Sequence, residues 1–228
     1  MEFTILMPCL NEAASLAFCI REAQAYIQSR GLDGEVLIAD NGSTDGSPNI
    51  ARRLGARVIS VPERGYGAAL LGGIRAAAGK YVIFADADGS YDFGGLDPFV
   101  SALRAGNVLV VGNRFQGGIE PGAMPPSHRL GVPALSVLAR WRFRAPVGDF
   151  HCGLRGLDRG AALKLDLGCP GMEFSTELIA AFARSGGMIC EVPTPLRRDR
   201  RGGKSHLRTV PDGWRHLKYI LSNGRKRG

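Results

Sequence analysis

The sequence predicts a single-domain α/β fold with a Rossmann-like, mostly parallel central sheet and helices on both faces. Short apolar segments alternate with amphipathic segments through the first hundred residues, a pattern typical of successive strand and helix units. Two of the apolar segments end in acidic loops, as expected at the carboxyl edge of a parallel sheet. The chain has 228 residues and is 45% hydrophobic, so it can bury one sizeable core.

The first half of the chain is predicted to contain four strands separated by three helices. Pro8 is expected to stop the first strand, and Asn11 is expected to cap the first helix, which Gly31 ends. Pro48 and Gly55 mark the limits of the second helix. The predicted strands are 3–7, 35–39, 57–61 and 81–86, and the predicted helices are 12–30, 48–54 and 67–78.

The second half is less regular and includes a Gly/Pro-rich loop at 117–126. Segment 128–144 is amphipathic and carries four arginines but no acidic residue. It fits either an ordinary surface helix or an interfacial helix on a membrane. Further helices are predicted at 96–104, 175–185 and 210–221, and further strands at 108–111 and 188–192. We expect a catalytic domain over residues 1–210, followed by a C-terminal helix and basic tail over 211–228.

The net charge of +8 is concentrated at the C-terminus. Residues 197–228 carry eleven Lys or Arg and two Asp, a net +9, whereas residues 1–196 carry a net −1. This asymmetry predicts an anionic partner such as phosphates or a lipid surface. The five dispersed cysteines fit buried thiols in a reducing cytosol better than disulfides or a zinc site. No apolar run reaches the roughly 18 residues of a membrane span, and no signal peptide is recognised, so a soluble or peripheral protein is expected.

The strand predicted at 81–86 delivers two carboxylates to the edge of the sheet. Asp86 ends this strand and Asp88 follows two residues later. One such carboxylate can bind a metal directly and the other through water or phosphate, which is how Mg²⁺ is commonly held beside a nucleotide. The same short pattern also fits an ordinary acidic turn, so its surroundings decide between the two interpretations.

Two further loops are candidates for the same ligand. Asp40 and Asp45 follow the second strand and can accept N–H or O–H groups of a nucleobase or ribose. The alternative is a turn with a helix cap made by neighbouring hydroxyls. Arg64 and Gly67 lie just before a predicted helix, a position suited to a diphosphate, although such glycines often serve packing alone.

Six short motifs occur in order along the chain and carry a resemblance to a known family. They are 8–12 (Pro-Cys-Leu-Asn-Glu), 40–45 (Asp-Asn-Gly-Ser-Thr-Asp), 64–69 (Arg-Gly-Tyr-Gly-Ala-Ala), 86–92 (Asp-Ala-Asp-Gly-Ser-Tyr-Asp), 112–114 (Gly-Asn-Arg) and 149–155 (Asp-Phe-His-Cys-Gly-Leu-Arg). Together they resemble the family 2 glycosyltransferases of GT-A fold, and most of all the polyprenyl-phosphate (dolichyl-phosphate) mannose or glucose synthases. The resemblance covers about residues 3–210. Each motif alone is weak, but six in order are a strong signal.

The resemblance implies a site for a nucleotide-sugar donor. Asp86 and Asp88 would hold Mg²⁺ or Mn²⁺ against the diphosphate, with Asp88 the first choice for direct ligation. The family often has a second Asp at the position of Asn41, so its absence leaves Asp40 as the expected base contact. The basic segment 200–205 resembles a loop that closes over the diphosphate. The implied donor-binding residues are Pro8, Asn11, Glu12, Asp40, Asp45, Arg64, Gly67, Asp86 and Lys204.

The resemblance also implies an acceptor site. Arg114 would lie near the acceptor phosphate and Asp149 near the reacting sugar, and both are candidate catalytic residues with Asp88. The residues alone also allow Arg114 and Asp149 to be a structural ion pair. A lipid phosphate is already an anion and needs orientation by arginines, whereas a hydroxyl acceptor would need a carboxylate base such as Asp149 or Glu173. The candidate acceptor-phosphate residues are Arg114, Arg129 and Arg200.

The predicted function is therefore transfer of a hexose from GDP-mannose or UDP-glucose to a polyprenyl phosphate, with inversion, at the cytoplasmic membrane face. An anionic membrane surface is the expected partner of segment 128–144 and of the tail. The alternative is a family 2 transferase that acts on a saccharide or protein hydroxyl. A nucleic-acid-binding protein is disfavoured, because the basic tail offers only Trp214 and Tyr219 for base stacking.

Overall fold

The computed structural model describes residues 1–201 and 209–223, and within them seven strands form one sheet. The strands are β1 (Phe3–Cys9), β2 (Gly34–Asp40), β3 (Arg57–Ser60), β4 (Tyr81–Phe84), β5 (Leu109–Asn113), β6 (Arg155–Asp158) and β7 (Ile189–Pro193). The helices are α1 (Leu16–Ser29), α2 (Ser47–Arg53), α3 (Tyr66–Ala76), α4 (Asp97–Arg104), α5 (Arg114–Gly117), α6 (Pro126–Phe143), α7 (Arg159–Ala162), α8 (Phe174–Ser185) and α9 (Thr209–Ser222).

The sheet has the order β3-β2-β1-β4-β6-β5-β7. β1 pairs in parallel with β2 and β4, β2 with β3, and β5 with β7. β6 is antiparallel to both of its neighbours, β4 and β5. The predicted single-domain α/β class with a mostly parallel sheet is confirmed. Its carboxyl edge brings together the loops that follow β1, β2 and β4.

The central strands carry the core, since every residue of β1 and β4 is buried. This agrees with the continuous apolar runs expected of parallel strands covered on both faces. Arg155 at the start of β6 is also buried, at 1% exposure. Its guanidinium donates hydrogen bonds to the backbone carbonyls of Phe150, Cys152 and Ser175, which satisfy the charge inside the core.

Two local predictions about the first strand and helix are wrong. β1 continues through Pro8 to Cys9, because its ladder with β4 has already ended at Leu6 and only β2 pairs with this end. Asn11 does not cap α1. Its backbone is left-handed, with φ 57°, and its side-chain oxygen accepts a hydrogen bond from the Thr44 N–H at 2.8 Å, so α1 begins only at Leu16.

The C-terminal helix α9 packs against α6 and α8. Cys9, Cys19 and Cys152 are buried free thiols, whereas Cys169 and Cys190 are free thiols that are partly exposed. Across residues 1–201 and 209–223, no helix has both the length and the hydropathy to cross a bilayer.

Candidate active site

The loop after β2 is shaped by its own two carboxylates. Asp40 is 7% exposed and accepts hydrogen bonds from the N–H groups of Gly42 and Ser43. Asp45 accepts from the Ala13 N–H at 2.9 Å and from the Ser47 N–H and Oγ–H at 3.0 and 2.6 Å. Burial alone would raise the pKa of Asp45, but these hydrogen bonds lower it below its ordinary value. Asp45 therefore joins the turn before α1 to the start of α2.

Asn41 and Arg64 connect this loop to the loop before α3. The Asn41 Nδ2 donates to the Glu63 carbonyl at 2.7 Å, and its Oδ1 accepts from the Gly65 N–H at 2.8 Å. The Arg64 Nη1 donates to the Asn41 carbonyl at 2.6 Å. A Cβ on Gly42, which has φ 90°, would lie 2.6 Å from the same Arg64 nitrogen. The role of Asn41 in joining these two loops therefore explains an asparagine at this position.

Gly67 is explained by packing. A Cβ at this position would lie 2.2 Å from the Cys169 carbonyl oxygen and 2.6 Å from the Phe174 Cβ. Glycine therefore allows α3 to approach the segment that precedes α8. The predicted contact between Gly67 and the donor is not required to explain this residue.

Asp86 and Asp88 lie together at the carboxyl end of β4. Asp88 is 6% exposed, and its Oδ1 accepts from the Ser90 N–H at 2.9 Å. Asp86 accepts a hydrogen bond from the Tyr66 hydroxyl. Gly153 lies close to this carboxylate, since a Cβ on Gly153 would be only 2.9 Å from the Asp86 Oδ2. Burial and the charge of Asp88 raise the pKa of Asp86, while the Tyr66 hydrogen bond opposes the increase.

Glu12 adds a third carboxylate to this cluster. Its residue is 6% exposed, and its Oε2 lies 3.4 Å from the Ser15 hydroxyl, which donates to the Ala87 carbonyl at 2.7 Å. The pKa of Glu12 is raised to about 7, mainly by burial. The charges of Asp88 and Asp86 contribute to the increase, and Arg201 opposes it. Three carboxylates held this close favour a bound cation.

In this structure the cation is the side chain of Arg201. Its Nη2 lies 2.8 Å from the Asp88 Oδ2 and its Nη1 lies 3.2 Å from the Glu12 Oε1. No group of three His, Cys, Asp or Glu side chains within residues 1–201 and 209–223 could hold a metal unaided. The buried Asp88 and the half-buried Asp86 fit Mg²⁺ or Mn²⁺ when a diphosphate supplies further oxygen ligands. A guanidinium between Asp88 and Glu12 shows that this position attracts positive charge.

Arg201 belongs to a segment that we call the strap, residues 197–201. The Arg197 N–H donates to the Ser90 carbonyl at 2.9 Å, and its guanidinium pairs with Glu22 at 2.9 Å and Asp92 at 2.7 Å. The Arg200 N–H donates to the Asp88 carbonyl at 2.7 Å, and its guanidinium lies 3.8 Å from the centre of the Phe18 ring. The strap therefore lies along the Asp86–Asp92 loop. Lys204, a predicted donor contact, lies outside the described residues.

Arg114 and Asp149 form a buried bidentate ion pair. The Arg114 Nε and Nη2 donate to the two Asp149 oxygens at 2.7 and 2.8 Å, and Asp149 is 0% exposed. The N–H groups of Arg114 and His151 also donate to this carboxylate. Glu191 in turn accepts hydrogen bonds from the N–H groups of Gly148 and Asp149. With four donors and no exposed surface, Asp149 positions Arg114 and is not placed as a base for an acceptor hydroxyl.

A cavity of about 330 Å³ lies beside Arg114. It is lined by Arg114, Phe115, Ile119 and Arg129. The structure thus brings together two of the three arginines predicted for the acceptor phosphate. The third, Arg200, does not line this cavity and lies on the donor side instead. Two cations beside apolar side chains suit a phosphate that is attached to a hydrocarbon chain.

A pair of histidine rings connects the segment just after Asp149 to helix α9. The His151 and His216 rings meet edge to face, with centroids 4.4 Å apart, and His216 Nδ1 forms a hydrogen bond with the Thr176 hydroxyl at 2.8 Å. Burial lowers the pKa of His216 to about 4. Burial and the charge of His216 also lower the pKa of His151 well below its ordinary value.

Sequence reasoning missed three residues that the structure places here. Arg201 and Glu191 were not among the predicted site residues, and the Tyr66 hydroxyl was not assigned to Asp86. Arg201 lies in a run of basic residues, and only the strap's hydrogen bonds decide which arginine faces the carboxylates. Glu173, a candidate base, lies just before α8, and its Oε2 is buried with no hydrogen-bond partner among the described residues.

The fold and this acidic edge define the class of protein: a GT-A glycosyltransferase. A solved structure with the same fold is glucosyl-3-phosphoglycerate synthase from Mycobacterium tuberculosis, in complex with Mn²⁺, UDP and glucosyl-3-phosphoglycerate. It matches with a TM-score of 0.76 and 25% sequence identity, over 97% of this chain and 79% of that one. The family model for glycosyl transferase family 2 matches residues 4–165, and the chain belongs to this family.

Two curated relatives come from Haloferax volcanii. A low-salt glycan biosynthesis hexosyltransferase is 37% identical over 223 residues, which are 96% of this chain but only 53% of that protein. This chain therefore spans about half the length of that relative. A dolichyl-phosphate hexose transferase is 31% identical over 206 residues, which cover 90% of this chain and 86% of the relative.

Proposed function

We propose that the protein is a metal-dependent, inverting hexosyltransferase whose acceptor is a polyprenyl phosphate. The observation that carries the proposal is the cavity where Arg114 and Arg129 meet Phe115 and Ile119. The arginines suit the phosphate and the apolar side chains suit the adjoining hydrocarbon. The name of the dolichyl-phosphate hexose transferase relative supports the same acceptor class.

The donor in this proposal is GDP-mannose or UDP-glucose, bound along the carboxyl edge of β1, β2 and β4. Asp40 contacts the base, while Asn11 and Glu12 lie beside the nucleotide. Asp88, assisted by Asp86, holds Mg²⁺ or Mn²⁺, which when bound would stabilise negative charge on the departing diphosphate. The Mn²⁺ and UDP in the solved neighbour support this choice of donor class and metal.

The chemical step needs no general base. An acceptor phosphate oxygen attacks the anomeric carbon while the bond from that carbon to the diphosphate breaks, and the nucleoside diphosphate leaves with the electron pair. Configuration at the anomeric carbon inverts. The phosphate is already an anion, so the protein must mainly orient it. Arg114 is suited to this because Asp149 fixes its guanidinium from behind.

The proposed location is the cytoplasmic face of a membrane, with α6 as the contact surface. Leu130, Val137 and Trp141 on α6 are 81%, 68% and 76% exposed. Their spacing puts them on one side of the helix, and segment 128–144 carries four arginines and no acid. Apolar side chains flanked by cations suit an anionic lipid surface.

Sedimentation with vesicles tests this contact surface. Vesicles of phosphatidylglycerol and phosphatidylcholine should bind the protein, and Trp141→Glu should weaken binding about tenfold. The matched control is Trp214→Glu, which changes an equally exposed tryptophan on α9. Equal losses for the two variants, or no binding at all, would contradict the assignment to α6.

An acceptor screen tests the reaction itself. The protein is mixed with GDP-mannose or UDP-glucose, Mg²⁺ and a short polyprenyl phosphate, and the products are identified by mass spectrometry. A hexosyl phospholipid product is expected. Phosphoglyceric acid and a soluble saccharide serve as competing acceptors, and transfer to either one with indifference to polyprenyl phosphate would refute the proposed acceptor.

A further inference from the structure

The strap places a tethered cation on the carboxylate that the proposed function assigns to the metal. The Arg201 guanidinium is 14% exposed and bridges Asp88 and Glu12. Asp88 Oδ1 is already occupied by the Ser90 N–H, so Oδ2, the oxygen that Arg201 contacts, is the one available to an incoming cation. A divalent ion bound to this oxygen would lie within a few ångströms of the guanidinium, and the two positive charges would repel each other.

The contacts of Arg201 differ from those of its neighbours in the strap. Arg197 is anchored through its backbone and by two carboxylates, Glu22 and Asp92, outside the acidic cluster. Arg201 contacts the cluster through its two terminal nitrogens, one of which also lies 3.7 Å from Asp199 in the strap itself, and its Nε is buried without a hydrogen-bond partner among the described residues. Loss of the Asp88 contact would therefore leave Arg201 a carboxylate partner within the strap, while Arg197 still anchors the strap to Glu22 and Asp92.

We propose that Arg201 is an autoinhibitory cation, which occupies Asp88 in the absence of donor and must be displaced before a divalent metal binds. This inference rests on the metal site of the proposed function. Arg201 neutralises buried carboxylates that would otherwise repel one another, and it sets the metal concentration at which the donor site becomes competent. Displacement moves the guanidinium from a buried position to an accessible one.

Binding of Mn²⁺ at a fixed, saturating concentration of GDP or UDP and without acceptor tests the proposal, because the diphosphate completes the metal site and no sugar transfer can occur. Titration followed by electron paramagnetic resonance of free Mn²⁺ should show that Arg201→Ala binds Mn²⁺ about tenfold more tightly than the wild type. Arg201→Lys, which keeps a charge but loses the fork of two donors, should be intermediate. The matched control is Arg198→Ala in the same strap, since Arg198 donates to the Pro121 carbonyl, and it should bind as the wild type does.

Unchanged or weaker Mn²⁺ binding by Arg201→Ala would overturn the proposal, and so would the absence of Mn²⁺ binding by both proteins. A second measurement needs no variant. In the presence of GDP or UDP, Mn²⁺ should accelerate trypsin cleavage of the wild-type chain after Arg201, with the cleaved bond identified by mass spectrometry, because displacement exposes this side chain. A cleavage rate independent of Mn²⁺ would also overturn the proposal. If the autoinhibition fails while the hexosyl phospholipid still forms, the proposed function stands without it.

Discussion

The proposed donor side and the proposed acceptor side of this molecule are charged in opposite ways. On the donor side, Glu12, Asp86 and Asp88 crowd together, and the guanidinium of Arg201 pairs with Glu12 and Asp88. On the acceptor side, Arg114 is fixed by the buried carboxylate of Asp149 and faces a cavity. One side is thus prepared for a cation and the other for an anion, which matches a reaction that joins a metal-bound donor to a phosphate.

The two sides also respond to acid in opposite directions. Raised pKa values at Glu12 and Asp86 mean that the donor side favours protonation. Lowered pKa values at His151 and His216 mean that the acceptor side resists it. Protonation of a buried neutral histidine lowers the free energy of unfolding, whereas protonation of a crowded carboxylate removes charge repulsion.

The largest effect is expected from removing charge on the donor side. Asp88→Asn should lower the rate of hexose transfer about 10³-fold, because the substitution removes the carboxylate oxygen assigned to the metal. Initial rates at saturating donor and Mg²⁺ measure this loss. Asp33→Asn is the matched control, since the Asp33 side chain is 71% exposed and precedes β2 at the opposite edge of the sheet. More than a tenth of the wild-type rate in Asp88→Asn would contradict the metal assignment.

The acceptor side is tested by comparing its two arginines. Arg114→Ala should lower the free energy of unfolding by about 3–5 kcal/mol, because it leaves the Asp149 carboxylate buried without its partner. Arg129→Ala should change it by no more than about 0.5 kcal/mol, because Arg129 lies on the surface. Both variants should raise the KM for polyprenyl phosphate. Equal losses of unfolding free energy for the two variants in urea denaturation would show that Asp149 does not fix the Arg114 guanidinium.

The smallest of these effects is expected from acid. The pKa of His216 is about 4 in the folded protein and 6.5 ordinarily, so its neutral form contributes stability that is complete above pH 6.5 and is lost as the pH falls towards 4. The loss attributable to this group is about 3 kcal/mol. His216→Gln should be less sensitive to pH over this range, as measured by urea denaturation between pH 7.5 and 4.5. Parallel pH profiles for the variant and the wild type would contradict the lowered pKa.

Much of the parallel half of the fold could be predicted from the sequence, because its strands are runs of apolar residues and two of them are followed by acidic loops. The adjacency of Asp86 and Asp88 followed from the motif, whereas the Arg114–Asp149 ion pair was only the alternative to separate roles for these two residues at the acceptor. The strand β6 could not be predicted, since Arg155-Gly156-Leu157-Asp158 has charged ends and no alternating pattern. The sequence does not distinguish the buried Arg155 from a surface arginine, because its burial depends on carbonyl groups of the preceding loop and of the first turn of α8.

Side-chain roles within the loops were harder to predict than the loops themselves. Asn11 and Asp45 were both expected near the nucleotide, yet each also holds one loop against another. Such dual use depends on distances between segments 30 or more residues apart, which a local pattern does not contain. The identity of the arginine on Asp88 depends on the strap in the same way.

The position of β6 has a consequence for how the chain assembles during synthesis. β5 is separated from β4 by β6, which is made about forty residues later than β5. Until β6 leaves the ribosome, β4 keeps one open edge and β5 has no neighbour in the sheet. The first four strands can pair as they emerge, whereas the acceptor half must wait for a late antiparallel insertion. Slow translation of residues 114–154 would prolong the exposure of these two strand edges to aggregation.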